Sequence, residues 1–351
     1  MSGATWELLA ELPVRIDGYG LEPLQTAFSS EFVRKTTVIH LHGGGEEGVG
    51  EDVTYAVEDQ EALQRSPATL PLTGDFTLAS FAERLRSLEL FPQPTERPEF
   101  RLYRNWAFDS AALDLALRQA GITLHAALGR EPRPVTFVAS LRLGEPPSLE
   151  PVKRRLAIAP GLRFKLDPTP SWDAELISEL VALGAVDSVD LKGQYEGTIV
   201  DNPADPALYK RIVEAFPDAW IEDPKLTEET EPILAAHHER ITWDAPIHSV
   251  ADIEALPFPP RTLNIKPSRL GGLRSLLDTY DYCAARSIST YGGGQSELGP
   301  GRGQIQYLAS LFHPDTPNDV APAGFNLPEP PADLPSSPLA PAPSPTGFRW
   351  G

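Results

Sequence analysis

A regular alternation of strand-like and helical segments, from about Asn105 onward, is the feature that most constrains the fold of this chain. Helical patterns such as 111–121, which ends in glycine, separate short strand-like runs. This rhythm predicts parallel strands joined by crossover helices. The seven apolar runs lie at 136–141, 162–166, 188–191, 219–222, 240–243, 262–266 and 287–291.

The number of repeats predicts an α/β protein with a modified (β/α)7β TIM-type barrel, a fold that occupies about 250 residues. An eighth strand is expected near 318–322. A doubly wound open sheet is the alternative. It is disfavoured because no GxGxxG fingerprint of a dinucleotide site follows the first strand.

Three regions are predicted along the chain. Residues 1–105 mix strand patterns, a glycine-rich turn and proline-rich connections, which indicates an α+β capping domain. Residues 106–325 are expected to form the barrel. The proline-rich tail 326–351 is expected to pack back on the cap, because its last residues include two aromatic side chains.

Composition excludes several classes of partner. The chain has 49 acidic and 30 basic residues and a net charge of −19, which argues against nucleic acid because phosphate binding relies on basic patches. No apolar stretch approaches the ~20 residues of a membrane helix, and the N-terminus lacks the pattern of a signal peptide. We therefore expect a cytoplasmic protein without a membrane partner. Whether the chain forms a homo-oligomer stays open.

Ionisable residues end five of the predicted strands: Lys165, Asp190, Glu222, Asp244 and Lys266. They are 25, 32, 22 and 22 residues apart, about one strand–helix unit at each step. Because the C-terminal strand ends of a barrel meet at one rim, the five side chains are expected to share one mouth. Charged groups in apolar strands are unfavourable unless they are paired, which favours a shared site. Solvated strand ends are the alternative, and spacing and residue type alone do not decide between the two.

These residue types suit the removal of a proton beside a carboxylate. Three carboxylates from adjacent strands supply the oxygen ligands that Mg²⁺ prefers, with Mn²⁺ as the second choice. A partly desolvated lysine near other positive charge has a lowered pKa and can act as a base near neutral pH. The enediolate that forms when the substrate loses its proton is stabilised by the charge of such an ion.

Four segments carry a family resemblance: 36–52, 111–129, 265–273 (IKPSRLGGL) and 291–310 (YGGGQSELGPGRGQIQYLAS). They resemble the enolase superfamily and, within it, the muconate cycloisomerase-like subgroup. That subgroup includes o-succinylbenzoate synthases, N-acylamino acid racemases and dipeptide epimerases. The resemblance extends over nearly the whole chain, and its last two segments are the most specific.

The resemblance implies a role for each strand-end residue. Asp190, Glu222 and Asp244 match the three metal ligands of the family. Lys165 and Lys266 match the two lysines that act as acid and base on opposite faces of the substrate.

The resemblance also implies a substrate-binding shell. Glu297 matches an acidic residue of the seventh strand near the substrate carboxylate, and Gly293 lets backbone N–H groups approach that carboxylate. Tyr19 belongs to the cap loop 17–20, which is expected to close over the barrel together with the loop 43–50.

Four departures from the family pattern accompany the resemblance. Arg163 replaces the first lysine of K-x-K, Lys192 replaces the asparagine of D-x-N, and Ala245 replaces the glutamate of D-E-S. Asp167 adds an acid at the end of the second strand. Arg163 and Lys192 are assigned to substrate binding. For Lys192, which would neutralise a second substrate anion, a salt bridge to Asp167 or Glu196 is the favoured alternative.

The resemblance therefore implies a magnesium-dependent isomerase or lyase that acts on a small-molecule carboxylate. Racemisation or epimerisation, cycloisomerisation and dehydration all start from the same enediolate, and the choice among them stays open. The altered third-strand and fifth-strand motifs motivate an alternative from another class. In that alternative the chain is an inactive metal-binding barrel that serves as a binding or scaffold protein.

Overall fold

The N-terminal region is built from two antiparallel sheets, a short 3-10 helix at Thr5–Leu8 and three α-helices in the computed structural model, which describes residues 4–28, 32–66, 69–198 and 200–351. Strands β2, β3 and β4 form one sheet in that order, and β1 pairs with β5 in the other. Their bounds are β1 Pro13–Ile16, β2 Gly18–Ala27, β3 Val33–Gly43, β4 Glu46–Asp52, α1 Val57–Arg65, β5 Gly74–Thr77, α2 Leu78–Arg86 and α3 Phe100–Gln119.

Helix α3 packs directly on strand β4, and two glycines on that strand allow the close approach. A Cβ atom on Gly50 would lie 2.0 Å from the carbonyl oxygen of Ala107, and one on Gly48 would lie 2.3 Å from that of Ala111. Such distances are far inside van der Waals contact, so a side chain at either position would push helix and sheet apart. Gly48 and Gly50 therefore set how closely helix α3 approaches the sheet of the cap.

Seven parallel strands form the second region, in the order β6 to β12 along the chain. Each strand is followed by helical structure, as the alternation predicted. The strands are β6 Val138–Leu141, β7 Arg163–Leu166, β8 Val186–Asp190, β9 Trp220–Glu222, β10 Ile241–Trp243, β11 Thr262–Ile265 and β12 Ser289–Gly292. The helices are α4 Leu124–Leu128, α5 Glu150–Ile158, α6 Ala174–Leu183, α7 Pro206–Ala215, α8 Glu231–Leu234, α9 Val250–Glu254, α10 Pro267–Leu270, α11 Leu273–Ala285 and α12 Pro300–Phe312.

The predicted eighth strand is reduced to two bridges. Asn318 pairs in parallel with Phe137, just before β6, and Asp319 pairs in parallel with Gly293, just after β12. These two bridges connect the first and seventh strands and close the barrel. Prolines at 317 and 322 flank the pair, and because proline has no N–H to donate, a longer ladder is unfavourable there. The α/β barrel with an N-terminal cap is thus confirmed.

The C-terminal segment returns to helix α3 and strand β4. The ring of Phe348 is fully buried, and its backbone N–H donates to Asp114 Oδ1 at 2.7 Å. Arg349 Nε donates to Asp114 Oδ2 at 2.8 Å, and its Nη2 donates to the carbonyl oxygen of Glu47 at 2.7 Å. The boundaries of cap, barrel and tail remain a prediction. Within the described residues, no helix is both long and apolar enough to cross a membrane.

Candidate active site

The five charged residues that end predicted strands converge at the carboxyl end of the barrel. Lys165 lies on β7, Asp190 and Glu222 are the last residues of β8 and β9, and Asp244 and Lys266 directly follow β10 and β11. All five are buried. Lys165 Nζ lies 3.0 Å from Asp190 Oδ2 and also contacts Glu222 Oε1, and Lys266 Nζ lies 2.8 Å from Asp244 Oδ2.

Three buried carboxylates of this cluster are close enough to share one ion. Asp190, Glu222 and Asp223 each offer an oxygen, and these atoms all lie within 4.8 Å of one another. Asp223 was not predicted from the sequence. Its backbone is left-handed, with φ of 48°, and its oxygens accept the N–H groups of Asp244 at 2.8 Å and Ala245 at 2.9 Å. A ligand set of oxygens alone suits a hard divalent cation such as Mg²⁺.

Asp244, the predicted third ligand, lies outside that group of three. Its Oδ2 is contacted by Lys266 and accepts a hydrogen bond from the hydroxyl of Tyr195 at 2.9 Å. Its Oδ1 lies 3.5 Å from Arg269 Nε. Two cations and a phenol therefore hold this carboxylate, and its assignment as a metal ligand remains a prediction.

The charges at the barrel mouth leave room for one divalent cation. Six buried or half-buried carboxylates face four buried or half-buried cationic side chains, so two negative charges remain when all of these groups are ionised. An uncompensated buried charge is strongly unfavourable, and a divalent cation would balance this excess. The carboxylates belong to Asp167, Asp190, Glu222, Asp223, Asp244 and Asp319, and the cations belong to Lys165, Lys192, Lys266 and Arg269.

Burial and neighbouring charge shift the pKa of several of these groups. Burial raises the pKa of Glu222 well above its usual value, and burial together with the charges of Asp244 and Asp190 raises the pKa of Asp223 to about 7. Burial works against the charged form of Lys165, but the charges of Asp190 and Glu222 raise its pKa well above the usual value. Lys165 therefore holds its proton among these carboxylates.

Lys192 lies beside Asp190. Its backbone is left-handed, with φ of 54°, and its ammonium group contacts Asp190 Oδ2. The same nitrogen lies 3.9 Å from Asp167 Oδ2, so the expected pairing with Asp167 is present. Glu196, the other expected partner, pairs instead with Lys225 at 2.5 Å.

Gly293 lies at the mouth, whereas Glu297 is held in a network beside it. A Cβ atom on Gly293 would lie 2.6 Å from Asn264 Oδ1 and 2.7 Å from Lys266 Cε, so glycine is required for this close approach. Glu297 pairs with Arg302 at 3.0 Å and accepts the N–H of Gln295 at 2.6 Å.

The structure does not bring Arg163 and Tyr19 to the acidic cluster. Arg163 donates to Asp187 Oδ1 at 2.7 Å and to the carbonyl oxygen of Gly184 at 2.8 Å, so its charge is used in the connection before β8. The Tyr19 hydroxyl accepts the N–H of Leu70 at 3.1 Å. These contacts are made elsewhere in the barrel and inside the cap, and they give no support to a role in substrate binding.

The end of the cap that reaches the barrel mouth is not the predicted one. The loops 17–20 and 43–50 were expected to close over the site. Asp17 Oδ2 instead accepts the N–H of Gly44 at 3.0 Å, at the end of the sheet away from the barrel mouth. Arg34 and residues 53–55, here called the mouth-side end of the cap, contact the loop after β12. Arg34 donates to the carbonyl oxygens of Thr54 and Gln295, both at 2.9 Å. The loop expectation was wrong because the sequence shows a hairpin but not which end of it docks.

Sequence reasoning missed several residues of the site. Arg269 and Tyr195 hold Asp244, Asp223 joins the acidic group, and Asp319 lies 3.6 Å from Lys165 Nζ at the barrel closure. Two signals were present in the sequence. Asp223 directly follows a predicted ligand, and Arg269 follows Lys266 by three residues, which is one helical turn.

Solved structures share this architecture. A member of the enolase superfamily from Enterococcus faecalis V583 matches with a TM-score of 0.62 and 20% identity over 88% of this chain and 86% of that chain. A dipeptide epimerase from Methylococcus capsulatus, complexed with a Mg ion, matches with a TM-score of 0.63 and 17% identity over 93% and 89%. The fold is therefore that of the enolase superfamily.

Two family models match the sequence. The C-terminal domain of DUF8230, a domain of unknown function, matches residues 131–327, and the N-terminal domain of DUF8230 matches residues 7–127. The C-terminal match alone covers more than half of the chain. The chain therefore belongs to the DUF8230 family.

Curated relatives are enzymes of the predicted subgroup. An o-succinylbenzoate synthase from Geobacillus stearothermophilus is 28% identical over 228 residues, which is 61% of this chain and 58% of that relative. An N-succinylamino acid racemase from Amycolatopsis sp. is 27% identical over 316 residues, or 85% and 82% of the two chains. These matches confirm the resemblance and the expectation of an enzyme of the isomerase or lyase type.

Proposed function

We propose that this protein is a divalent-metal-dependent enzyme that removes the proton next to a substrate carboxylate. The observation that carries the proposal is the buried cluster of Asp190, Glu222 and Asp223, with Lys165 on Asp190 and with Lys266 on the neighbouring Asp244. When every group at the mouth is ionised, two negative charges are in excess there. Mg²⁺ fits this cluster because every donor is a carboxylate oxygen. When bound, the ion would supply positive charge that favours the enediolate form of the substrate.

Within this proposal Lys266 is the better of the two bases. Its ammonium group contacts one carboxylate, that of Asp244, and 7% of its side chain is exposed beside the bare backbone of Gly293. Lys165 contacts three carboxylates and only 2% of its side chain is exposed. We assign proton transfer at the substrate carbon to Lys266. We assign to Lys165 a fixed positive charge that stabilises developing negative charge on the other face.

The names of the relatives suggest the first substrates to test. N-succinylamino acids follow from the racemase and dipeptides from the epimerase. Exchange of the α-proton with solvent deuterium is the best assay because it detects proton removal whether the later step is racemisation or elimination. We expect exchange in the presence of Mg²⁺, and its loss in Lys266→Met and in Asp190→Asn. Lys225→Met, which removes a lysine that pairs with Glu196 on a neighbouring loop, is the control and should exchange normally.

Two results would redirect the proposal. Exchange that continues in Lys266→Met but stops in Lys165→Met would reverse the assignment of the two lysines. Binding of Mg²⁺ without exchange on any substrate of the panel would favour the second candidate, a metal-binding barrel without turnover. The contact between Lys192 and Asp190 is the observation that motivates this second candidate, since it places a cation on a ligand of the metal cluster.

A further inference from the structure

Both oxygens of Asp190 are already engaged by the chain itself. The backbone N–H of Lys192 donates to Oδ1 at 3.1 Å, and the ammonium group of Lys192 contacts Oδ2. Lys165 Nζ lies 3.0 Å from the same Oδ2. Two ammonium groups therefore converge on one carboxylate oxygen of the candidate metal cluster.

This arrangement conflicts with a divalent cation at Asp190. Like charges about 4 Å apart in a partly buried site repel by several times the thermal energy, and a doubly charged ion doubles that repulsion. One of the two ammonium groups has to move away when an ion binds. Lys165 is enclosed, with 2% of its side chain exposed, whereas 13% of the Lys192 side chain is exposed.

Lys192 has a second position within reach. Asp167 Oδ2 lies 3.9 Å from its nitrogen, and Asp167 Oδ1 is buried without a hydrogen-bond partner. A buried carboxylate oxygen that lacks a donor is unfavourable, so an ammonium group that moved there would satisfy it. The ring of Tyr195, with its centroid 4.9 Å from the Lys192 nitrogen, lies beside this ammonium group.

We propose that Lys192 is an internal cation that exchanges with the divalent ion. Without metal its ammonium group neutralises Asp190, and with metal it moves to Asp167. This inference rests on the proposed metal site and adds to it a built-in competitor that lowers metal affinity. Lys192 and Asp167 thus act as one exchange pair.

The test is a double-mutant cycle on Mn²⁺ binding, measured by isothermal titration calorimetry on the full chain. Lys192→Met keeps the length of the side chain and removes its charge, and we expect Mn²⁺ to bind at least about tenfold more tightly. Asp167→Asn removes the second position and should weaken binding. That weakening should be several times larger with Lys192 present than in the K192M background, because only the lysine needs the second position.

Simple repulsion at a distance predicts a different pattern. Simple repulsion would make Asp167→Asn weaken Mn²⁺ binding equally in the wild-type and K192M backgrounds, and that result would overturn the exchange. Mn²⁺ binding to Lys192→Met that is unchanged or weaker would overturn it as well. Lys225→Met should bind like the wild type. A crystal structure with Mn²⁺ should show the Lys192 nitrogen on Asp167, and a nitrogen still on Asp190 would also overturn the inference.

Failure of the proposed metal site would look different from failure of the exchange. If the site itself is wrong, Mn²⁺ binds neither the wild type nor Lys192→Met, although both are folded by circular dichroism. If only the exchange is wrong, Mn²⁺ binds the wild type and is lost in Asp190→Asn, while the cycle is additive.

Discussion

Glu51 connects the cap to the barrel, and its removal should lower the free energy of unfolding. Its carboxylate is fully buried on β4 and reaches the N-terminus of α12. It accepts the N–H of Leu298 at 2.7 Å, of Gly299 at 3.0 Å and of Gly301 at 2.9 Å. These donors have no partner within the helix, and a negative charge is favourable at a helix N-terminus.

The loss expected for Glu51→Ala follows from these three contacts. A buried donor that loses its acceptor costs about 1–3 kcal/mol. Because water can enter part of the space, we expect a total of about 3–5 kcal/mol. Glu51→Gln keeps one oxygen but turns an NH2 group toward an N–H donor, so it should fall between the wild type and the alanine variant. Burial and the charge of Glu297 raise the pKa of Glu51, and this cost of ionisation is absent in the amide.

Urea unfolding followed by circular dichroism measures this difference. Glu46→Ala on the same strand is the matched control, because its partner Arg118 is 2.9 Å away but the Glu46 side chain is 38% exposed. Exposed pairs contribute about 0–1 kcal/mol. A free energy of unfolding for Glu51→Ala within about 1 kcal/mol of the wild type, or equal to that of the control, would refute the reasoning.

Three further predictions concern buried charges outside the metal cluster. Burial raises the pKa of Asp109 to about 6, above the value of about 4 in the unfolded chain. The stability that comes from keeping this carboxyl protonated in the fold is complete below pH 4 and is lost as the pH rises through 6. Asp109→Asn should therefore remove about 3 kcal/mol of that decline between pH 3 and pH 8, measured by unfolding at each pH. Arg104→Met should cost about 3–5 kcal/mol by thermal unfolding, because Arg104 Nε lies 2.7 Å from Asp52 Oδ2 and its removal leaves this fully buried carboxylate without its charged partner. Arg34→Met should speed amide hydrogen exchange at the mouth-side end of the cap, while exchange in the barrel strands stays unchanged. Equal exchange rates at that end in the wild type and in Arg34→Met would contradict the role of Arg34 as the anchor of the cap.

The barrel could be predicted because each strand has a local signature. Runs such as 162–166 combine β-branched or aromatic residues with a charged residue near the end, and this pattern does not depend on distant contacts. The closure could not be predicted in the same way. Asn318 and Asp319 form only one bridge each, so no periodic pattern marks them.

The part of the site that could be predicted is the part in which the spacing of strand ends along the sequence brings side chains together. Asp190 and Glu222 meet because the carboxyl ends of parallel strands meet. Asp223 was missed although it directly follows Glu222, because consecutive residues of a strand point to opposite faces and the sequence does not reveal the left-handed backbone of this aspartate. The assignment of Arg163 to substrate binding found no support because its partners, Asp187 and Gly184, lie in the connection between α6 and β8 and at the start of β8. The path of that connection cannot be read from the sequence.

The two most unusual residues of the mouth compensate each other. Compared with the family pattern, Asp167 adds a negative charge at the end of one strand, and Lys192 adds a positive charge after the next. Lys192 Nζ lies 3.9 Å from Asp167 Oδ2. Because the two charges cancel, the excess of two negative charges that suits a divalent cation is the same with both residues as with neither. A lysine alone would reduce the excess to one and oppose the ion, and an aspartate alone would raise it to three and oppose folding. The pair therefore leaves the net charge of the site unchanged and alters only where the positive charge lies.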